Sequence, residues 1–344
     1  MGQHTHTSAP TRVDTNPTGE GPHAQLLLLS QEEVDRLLDL DQLEAALATA
    51  LQDLSAGRAS VPARTAAIVP DAGLLAAMPG YSPNTSLAVK LVSVFPGNHV
   101  RGLPSHNALI ALFDAETGRA TAILDGTRIT AARTAAISAL TTRHLARPDA
   151  ATLAIVGAGV QGEAHLAAVS RTRNFQRILV ASRNAEHAAA LAEKHPGASS
   201  AESVEAAARE ADVICACTDA AAPVVRREWL KPHAHVTSVG FSGEGAELDP
   251  DIVDQAIAAQ ALFVESRQAF AAFPAGAQEL QGRDARAATE VGELLSDPSR
   301  FQGAAARLPF TLYKSVGVAI EDAAAAAVVY ERARGSGAGL PIRL

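Results

Sequence analysis

A glycine-rich turn at residues 156–162 constrains this 344-residue chain more than any other feature. The apolar residues 153–156 run directly into Gly157, Gly159 and Gly162, which have the spacing G-x-G-x-x-G. After a strand and before a helix, these glycines permit a tight turn, close approach of a pyrophosphate and close helix packing, and the helix N-terminus offers N–H groups to phosphates. This context favours a dinucleotide site over a purely structural turn. The predicted loop comprises Gly157, Gly159, Val160, Gln161 and Gly162.

The pattern that follows residue 152 alternates strands with helices. Strand-like stretches lie at 153–156, 178–181, 213–217, 236–240 and 262–264, and helical stretches at 164–170, 185–194 and 203–208 separate the first three of them. Such alternation is typical of a doubly wound parallel sheet of the Rossmann type. We therefore predict an α/β protein with a Rossmann dinucleotide-binding domain at residues 148–309.

The rest of the chain has a different pattern. A helical stretch at 31–51 precedes short strand-like pieces between residues 64 and 124, which predict a mostly antiparallel sheet, and a long helix at 127–145. The alanine-rich stretch 313–334 predicts a helix that the parallel sheet does not need. We therefore expect the Rossmann domain to be inserted in a discontinuous α+β domain made of residues 24–147 and 310–344.

Composition excludes several classes of protein. Hydrophobic residues make up 47% and charged residues 19%, and no apolar run approaches the about 18 residues that cross a bilayer. The net charge of −8 argues against a nucleic-acid partner. The two cysteines, Cys215 and Cys217, cannot form a disulfide framework or a multi-cysteine metal site, and no metal is predicted. Residues 1–23 lack the apolar core of a signal peptide and predict a disordered tail on a cytoplasmic protein.

The end of the second predicted strand bears on the choice of cofactor. About 20 residues after the glycine loop, a carboxylate would accept a hydrogen bond from the ribose of NAD. The chain has Ser182, Arg183 and Asn184 there, and a guanidinium beside a hydroxyl suits a 2′-phosphate. The sequence therefore favours NADP(H) over NAD(H), the alternative being a solvated arginine at a strand end. Thr218 and Val239, near the ends of later strands, are also assigned to the cofactor site.

Several segments together point to a known family. They are residues 61–65 (VPART), 89–98 (VKLVSVFPGN), 112–114 (LFD), 130–136 (TAARTAA), the glycine loop with its Gln161, and 313–317 (YKSVG). Together they resemble the ornithine cyclodeaminase and μ-crystallin family, which includes cyclodeaminases, alanine dehydrogenases and ketimine or cyclic-imine reductases. The resemblance implies that the discontinuous domain binds substrate and mediates dimerisation, and that the protein is a homodimer.

The resemblance also implies a site for a carboxylate. Arg64, Lys90 and Arg133 are expected to converge on the carboxylate of an amino or imino acid, which two guanidinium forks and one ammonium group suit. Lys90 is the least ordinary of the three because it lies in the apolar run 87–92, where an unpaired ammonium is costly. The alternative for each is a surface or helix-pairing role. Asn98, in the same region, is also assigned to substrate binding.

One departure from the family pattern concerns the reaction. Cyclodeaminases and alanine dehydrogenases carry an aspartate two residues after the strand that ends at Gly240, where this chain has Ser242. A hydroxyl is no base near neutral pH without an activating partner, and the family's reductases tolerate serine at this position. The loop is also one residue shorter before 247–249, so in a shifted alignment Glu244 replaces the missing carboxylate, and cyclodeaminase chemistry stays an alternative.

These features predict an NAD(P)H-dependent reductase that transfers a hydride to the C=N carbon of a small α-imino acid, such as pyrroline- or piperideine-2-carboxylate. Lys90 and Ser242 are the predicted catalytic residues. Ornithine cyclodeaminase and an alanine-type dehydrogenase are alternatives within the family. A non-catalytic protein that binds NADPH and a small ligand is the alternative from another class. Lys90 and the two arginines argue for chemistry, because binding the cofactor requires none of them.

Overall fold

The computed structural model describes residues 25–240 and 245–343. The predicted tail, Ser242 and Glu244 lie outside the described residues. In the first half of the chain the elements are β1 Leu26–Leu29, α1 Gln31–Leu37, α2 Leu40–Ser55, β2 Thr65–Val69, β3 Gly73–Tyr81, β4 Leu87–Val94, β5 His106–Phe113, β6 Ala120–Asp125, α3 Gly126–Leu145, β7 Thr152–Val156 and α4 Val160–Val169. In the second half they are β8 Arg177–Ala181, α5 Ala185–Ala192, β9 Ala198–Ser200, α6 Val204–Glu210, β10 Val213–Ala216, β11 Ala234–Ser238, α7 Pro250–Ala258, β12 Leu262–Val264, β13 Thr289–Glu290, α8 Val291–Ser296, α9 Ala304–Arg307, β14 Phe310–Lys314, α10 Ala319–Ser336 and β15 Leu340–Ile342.

The first sheet has the strand order β15-β1-β6-β5-β4-β3-β2 within the described residues. Its strand pairs are antiparallel except for the parallel pair β1 and β6, in agreement with the predicted mostly antiparallel sheet. Side chains alternate between the two faces of a strand, so Ala88 and Lys90 of β4 point to the same face. Helix α10 covers that face, and α2 packs on α10 and α3 with Leu43, Leu47 and Leu51 fully buried.

The predicted helix at 31–51 is two helices in the structure. Ser30 and Glu33 form the expected capping box at the start of α1. The carboxylate of Asp39 then accepts hydrogen bonds from the backbone N–H groups of Asp41 and Gln42 and begins α2. The chain turns at Asp39 because this carboxylate satisfies N–H groups that a continuous helix would pair with backbone carbonyls.

The second sheet is parallel, with the order β13-β12-β14-β11-β10-β7-β8-β9. Every residue of β7, β10 and β11 is buried, as expected for strands covered by helices on both faces. The predicted doubly wound α/β fold is confirmed. Because all strands run in one direction, their carboxyl ends meet at one edge of the sheet, where ligands bind in such folds.

The predicted helix that starts at Tyr313 was wrong in its first residues. Residues 310–314 are β14, which lies between β12 and β11 and completes the parallel sheet, and α10 begins only at Ala319. An apolar run buried on both faces has no periodicity that separates a strand from a helix. Gly317, with φ of +69°, ends the extended segment before α10.

Helix α3 lies between the two sheets and joins their cores. Ala131, Ala135 and Ala139 pack in one apolar cluster with residues of β7. Ile129 and Ile137 pack on the other side in the cluster that contains α2 and α10. Small residues on one face allow the helix to approach the parallel sheet closely, and this places residue 133 between the two layers.

Candidate active site

The glycine loop has the geometry that its spacing predicts. Gly157 adopts φ of +108°, and a Cβ there would lie 2.6 Å from the carbonyl oxygen of Cys217. A Cβ on Gly162 would overlap the carbonyl oxygen of Gly157. A Cβ on Gly159, in contrast, would meet no atom within 4 Å, so the space above this residue is open. Two glycines are therefore needed for packing and one faces the space that a diphosphate requires.

The start of α4 offers unsatisfied groups to that space. Gly159 is the N-cap of α4 and supplies no side-chain cap, so the first N–H groups of the helix have no partner from it. Val160 is 63% exposed. The amide oxygen of Gln161 is buried and has no hydrogen-bond partner within residues 25–240 and 245–343. A buried polar atom without a partner is costly, and a bound ligand would satisfy it. The loop thus fits a nicotinamide dinucleotide.

The residues assigned to cofactor choice differ in their surroundings. The side-chain oxygen of Asn184 accepts hydrogen bonds from the backbone N–H groups of Glu186 and His187, so Asn184 is the N-cap of α5. Ser182 accepts a long hydrogen bond from the N–H of Asn184. Arg183 is exposed and pairs with no carboxylate in the described part of the chain. Of the three, Arg183 has a charge that no neighbouring carboxylate neutralises.

A buried carboxylate that the sequence analysis did not assign fixes two neighbouring strand ends. Glu247 accepts hydrogen bonds from the N–H and hydroxyl of Thr218, at 2.9 and 2.8 Å, after β10. Its other oxygen accepts from the hydroxyl of Ser238 and the N–H of Gly240, at 2.8 and 2.6 Å, after β11. Thr218 and the partly exposed Val239 therefore lie together at the carboxyl-terminal edge of the parallel sheet. An acid seven residues after a strand gave no local signal of this role.

Lys314, the last residue of β14, stabilises the same carboxyl-terminal edge of the parallel sheet. Its ammonium group is fully buried, donates hydrogen bonds to the carbonyl oxygen of Gly240 at 2.6 Å and to Ser238 Oγ at 3.1 Å, and pairs with Glu279 at 3.0 Å. Gly240 is thus bonded through both its N–H and its carbonyl. The backbone on the amino-terminal side of residues 241–244 is fixed at the edge that the glycine loop shares.

The structure brings Lys90 and Arg133 together at a carboxylate of α10. Lys90 Nζ lies 2.7 Å from Asp322 Oδ2, and Arg133 Nε lies 3.2 Å from Asp322 Oδ1. Arg133 also pairs with Glu321 through Nη1. All four side chains are at most 5% exposed. Lys90 therefore has the charged partner that a buried ammonium group in an apolar strand needs.

Arg64 reaches the same place through the backbone between β14 and α10. Its Nη2 donates hydrogen bonds of 2.9 Å to the carbonyl oxygens of Val316 and Gly317. A Cβ on Gly317 would lie 2.5 Å from both terminal nitrogens of Arg133. Arg64 and Arg133 therefore contact the same short segment, which follows the carboxyl end of β14. The three predicted substrate residues lie in one region, at the edge where the glycine loop lies.

Glu265 organises that segment. Its fully buried carboxylate accepts hydrogen bonds from the hydroxyls of Tyr313 and Ser315, at 2.8 and 2.5 Å, and from the N–H groups of Val316 and Gly317 at 3.2–3.3 Å. Because these N–H groups point to Glu265, the carbonyls of the same residues are available to Arg64. Glu265 was not found from the sequence, since its partners lie about fifty positions further along the chain.

The cluster changes the acid strength of its members. Burial lowers the pKa of Lys90 to about 8, although the charge of Asp322 opposes this change. Burial raises the pKa of Glu321 to about 8, against the opposing charge of Arg133. Burial would raise the pKa of Asp322, but the charges of Lys90 and Arg133 outweigh it and keep that pKa low. Burial would also lower the pKa of Arg133, and here the charges of Asp322 and Glu321 prevail and raise it.

Two acids of the cluster were missed, although a signal existed. Glu321 and Asp322 are adjacent acids in an otherwise alanine-rich, apolar stretch. The desolvation argument that singled out Lys90 applies to them equally, because a buried carboxylate needs a cationic partner. Treating the stretch as one apolar helix concealed this signal.

Asn98 and His106 lie in the region of the predicted substrate site. The side-chain amide of Asn98 donates a 2.9 Å hydrogen bond to the carbonyl of Pro104, which is a local structural role, so its contact with substrate stays a prediction. His106 is an exposed residue at the start of β5. Partial desolvation lowers its pKa, the charge of Asp219 opposes this change, and the charge of Lys90 adds to it.

Within residues 25–240 and 245–343, no group of three or more His, Cys, Asp or Glu side chains could hold a metal ion. Cys215 and Cys217 are buried, unpaired residues, and burial raises the pKa of the Cys215 thiol to about 12. None of the helices in the same part of the chain is both long enough and apolar enough to cross a membrane.

Comparison with known proteins places this site in a family. The profile of the ornithine cyclodeaminase/mu-crystallin family matches residues 24–337. The ketimine reductase mu-crystallin of Mus musculus is 38% identical over 316 residues, which are 88% of this chain and 96% of the mouse protein.

Two solved structures are similar along their whole length. The Thermococcus litoralis Delta(1)-pyrroline-2-carboxylate reductase in complex with NADH and L-proline is 32% identical with a TM-score of 0.81, covering 92% of this chain and 100% of that chain. An archaeal alanine dehydrogenase dimer with bound NAD is 27% identical with a TM-score of 0.77, covering 93% and 99%. These relatives agree with the predicted NAD(P)H-dependent oxidoreductase that acts on imines, and the chain belongs to the ornithine cyclodeaminase/mu-crystallin family.

Proposed function

We propose that this protein reduces small α-imino acids to amino acids with NADPH, using Arg64, Lys90 and Arg133 to bind the substrate carboxylate. The observation that carries this proposal is the convergence of these three cations, of which Lys90 and Arg133 are buried, at the carboxyl-terminal edge of the parallel sheet, the edge that also holds the glycine loop. A cofactor-binding protein without chemistry has no need for three cations there. Cyclic imino acids such as pyrroline- and piperideine-2-carboxylate are the proposed substrates, in keeping with the names of the relatives.

The charges of the cluster favour a bound carboxylate. Arg64, Lys90 and Arg133 carry three positive charges, which Asp322 and Glu265 reduce by two. With its raised pKa of about 8, Glu321 holds a proton at neutral pH and adds no negative charge. The carboxylate of a substrate would receive hydrogen bonds from the guanidinium groups in a region of low dielectric.

The glycine loop and Arg183 account for the cofactor. Gly159, Val160 and Gln161 would hold the diphosphate, and Arg183 would pair with a 2′-phosphate, which is why NADPH is proposed as the preferred form. NADPH supplies a hydride to the C=N carbon when bound. Glu247 and Lys314 form hydrogen bonds with the residues at the ends of β10 and β11, and so fix the edge of the sheet at which the nicotinamide would lie.

Lys90 has a second proposed role in moving a proton. Reduction of C=N needs a hydride at carbon and a proton at nitrogen, and a group with a pKa near the working pH donates a proton well. Lys90, with a pKa of about 8, holds a proton on Nζ at neutral pH. An imine that arrives already protonated needs no donor, and Lys90 then acts only through its charge. Ser242 stays a predicted catalytic residue.

The test is turnover of cyclic and acyclic imino acids with NADPH, followed by loss of nicotinamide absorbance. We expect stoichiometric oxidation of NADPH with pyrroline- or piperideine-2-carboxylate. Lys90→Ala should lose this turnover while it still binds NADPH, whereas Lys194→Ala, at an exposed lysine that pairs with Glu163, should keep both. Absence of turnover with every imino acid, in a protein that binds NADPH, would favour the binding-protein alternative.

We also propose that two copies of the chain associate through the first sheet. Leu75, Leu91 and Leu109 lie on the face opposite Lys90, because side chains alternate along each strand, Leu91 pairs with Leu109, and Leu75 pairs with Ser93, two residues from Leu91. Leu75 and Leu109 are 49% and 42% exposed. An apolar sheet face of this kind is typical of an interface between subunits. Light scattering should give the mass of a dimer, and Leu109→Glu should give a folded monomer.

A further inference from the structure

A cavity of about 790 Å³ lies on the side of the molecule away from the candidate active site. It is formed where the end of α3 and the segment 146–149 lead into β7, and where His233 precedes β11. The segment 298–303 and α9 form the opposite wall. These positions are at the amino-terminal edge of the parallel sheet, whereas the glycine loop is at the carboxyl-terminal edge. The volume is in the range of metabolite sites, about 300–1,000 Å³.

The lining of this basic cavity is rich in cationic side chains. Arg143, His144, Arg147, Arg173 and His233 line it, together with the single acid Asp149. Arg143 pairs with Glu44 at 3.1 Å and Arg147 with Asp149 at 3.1 Å. Two carboxylates therefore face three guanidinium groups and two imidazoles.

Arg173 is held by backbone carbonyls and pairs with no carboxylate among the residues that the structure describes. Its guanidinium donates hydrogen bonds to the carbonyl oxygens of Arg147, Thr142 and Ala146, at 2.9, 3.0 and 2.7 Å, around the end of α3. Carbonyl groups satisfy its N–H donors but cancel only part of its charge. A fixed, partly buried guanidinium is a pre-organised element of an anion site, because little side-chain entropy is lost when the anion binds.

Neighbouring side chains show the excess positive charge. Partial burial lowers the pKa of His144, and the charges of Arg143 and Arg173 lower it further. Partial burial also lowers the pKa of Arg173, and Arg143 adds to the effect. No carboxylate contributes an opposing effect on either group. The ion pairs with Glu44 and Asp149 thus leave the basic cavity positive.

We propose that the basic cavity binds a small organic anion with two or more carboxylate or phosphate groups, at a second site separate from the active site. Arg143, Arg147 and Arg173 supply the charge. Pro148, Pro298 and Ala306 offer apolar contact to a carbon skeleton, so a metabolite fits better than an inorganic ion. Such a ligand would contact the end of α3 and α9 at once, and it would therefore link the segment that leads into β7 with the segment that leads into β14.

The test uses calorimetric titration of the full chain at constant ionic strength with saturating NADPH, so that phosphates do not report on the glycine loop. Citrate, 3-phosphoglycerate and inorganic phosphate are the ligands titrated. We expect saturable binding of citrate or 3-phosphoglycerate, and comparison of the two identifies the preferred anionic group. Binding of inorganic phosphate as tightly as both organic anions would show an adventitious ion site only and would overturn the proposal.

Two variants from opposite walls locate the binding. Arg143→Glu should weaken it by about tenfold or more, as expected for loss of a charged contact. The matched control is Arg171→Glu, because Arg171 is also exposed, also pairs with an acid of α2, Asp41, and is not part of the lining. Ala306→Trp should abolish binding by filling the space without a change of charge.

Three further results would contradict the proposal. They are no saturable heat with citrate or 3-phosphoglycerate, equal weakening by Arg143→Glu and Arg171→Glu, and unchanged binding in Ala306→Trp. Thermal melting of each variant confirms that the fold is retained. Because the measurement is of binding, it gives an answer whether or not the protein reduces imino acids.

Discussion

Lys90 Nζ and Asp322 Oδ2 are 2.7 Å apart, and this buried ion pair joins β4 to α10 across 232 positions of the chain. Asp322 forms ion pairs with Lys90 and Arg133, which are also proposed to bind the substrate carboxylate. Its charge also favours the protonated form of Lys90. Without this carboxylate, burial alone would lower the pKa of Lys90 further. The pair therefore sets the pH range in which the site can hold an anion.

The first prediction is the pH dependence of the unmodified enzyme. The pKa of Lys90 is lowered to about 8, so Lys90 is charged below this pH and neutral above it. The pKa of Glu321 is raised to about 8, so Glu321 is neutral below this pH and negative above it. Both changes weaken the attraction for a carboxylate as the pH rises. We expect kcat/KM for an imino acid to fall above about pH 8, and a flat profile up to pH 10 would be inconsistent with this cluster.

The second prediction compares two adjacent acids. Asp322→Asn removes the charge that raises the pKa of Lys90, so the decline of kcat/KM should move to lower pH, by about one unit or more. Glu321→Gln replaces a group that is already protonated at neutral pH, so kcat/KM below pH 7 should change little. Thermal melting shows whether each variant folds. Equal effects of the two substitutions on the profile would argue against separate roles for Asp322 and Glu321.

The third prediction uses two glycines with the same backbone angle. Gly317 and Gly337 both have φ of +69°, but only at Gly317 would a Cβ meet the guanidinium of Arg133. Alanine at either position should cost about 1–2 kcal/mol of stability from the left-handed backbone. Gly317→Ala should in addition displace Arg133 and raise the KM for imino acid by about tenfold or more.

Gly337→Ala should leave this KM unchanged, because nothing lies within 4 Å of its added Cβ. Steady-state kinetics and thermal melting of both variants test the prediction. A similar KM in the two variants would show that contact between residue 317 and Arg133 does not matter for substrate binding.

The fourth prediction concerns cofactor choice. Arg183→Ala should weaken NADPH binding by about tenfold to a hundredfold, the effect of losing a charged hydrogen bond, and should leave NADH binding nearly unchanged. Arg177→Ala, at the other end of β8, is the matched control because Arg177 is exposed and pairs with Glu210. Fluorescence titration with both cofactors measures the effect. Tighter binding of NADH than NADPH by the unmodified protein would exclude Arg183 from the proposed role.

The glycine loop was predicted from local features of the sequence. The glycine spacing, the strand before it and the helix after it are all contained in residues 152–169, and the backbone angles of Gly157 follow from that spacing. Lys90 was identified because an ammonium group in an apolar strand needs a partner. The partner itself, Asp322, could not be identified in this way, since the pairing depends on how α10 packs against β4.

The grouping of the arginines depended on resemblance. Arg64 is held by the carbonyls of residues 316 and 317, whose orientation depends on Glu265, and none of these contacts is local in the chain. The strand β14 was also missed, because a run buried on both faces has no alternation. The sequence predicted those parts of the site in which a residue and the neighbours that explain its role lie in one short segment.

The last prediction sets reductase against cyclodeaminase and depends on Ser242. Cyclodeamination begins with oxidation of an amine, so a base must accept a proton from the substrate nitrogen as hydride leaves, and every turnover needs that base. Imine reduction needs only the return of hydride to C=N with reduced cofactor from solution.

Ser242 itself lies outside the described residues, but Gly240 just before it is held by Glu247 and Lys314 at the edge that the glycine loop shares. Because position 242 follows this fixed glycine by two residues, Ser242→Asp should raise the rate of amine oxidation with proline and NADP. The unmodified protein should release little ammonia from L-ornithine with catalytic NAD. Rapid formation of ammonia and proline from ornithine would instead identify a cyclodeaminase and point to Glu244 as its base, which Glu244→Gln would then abolish.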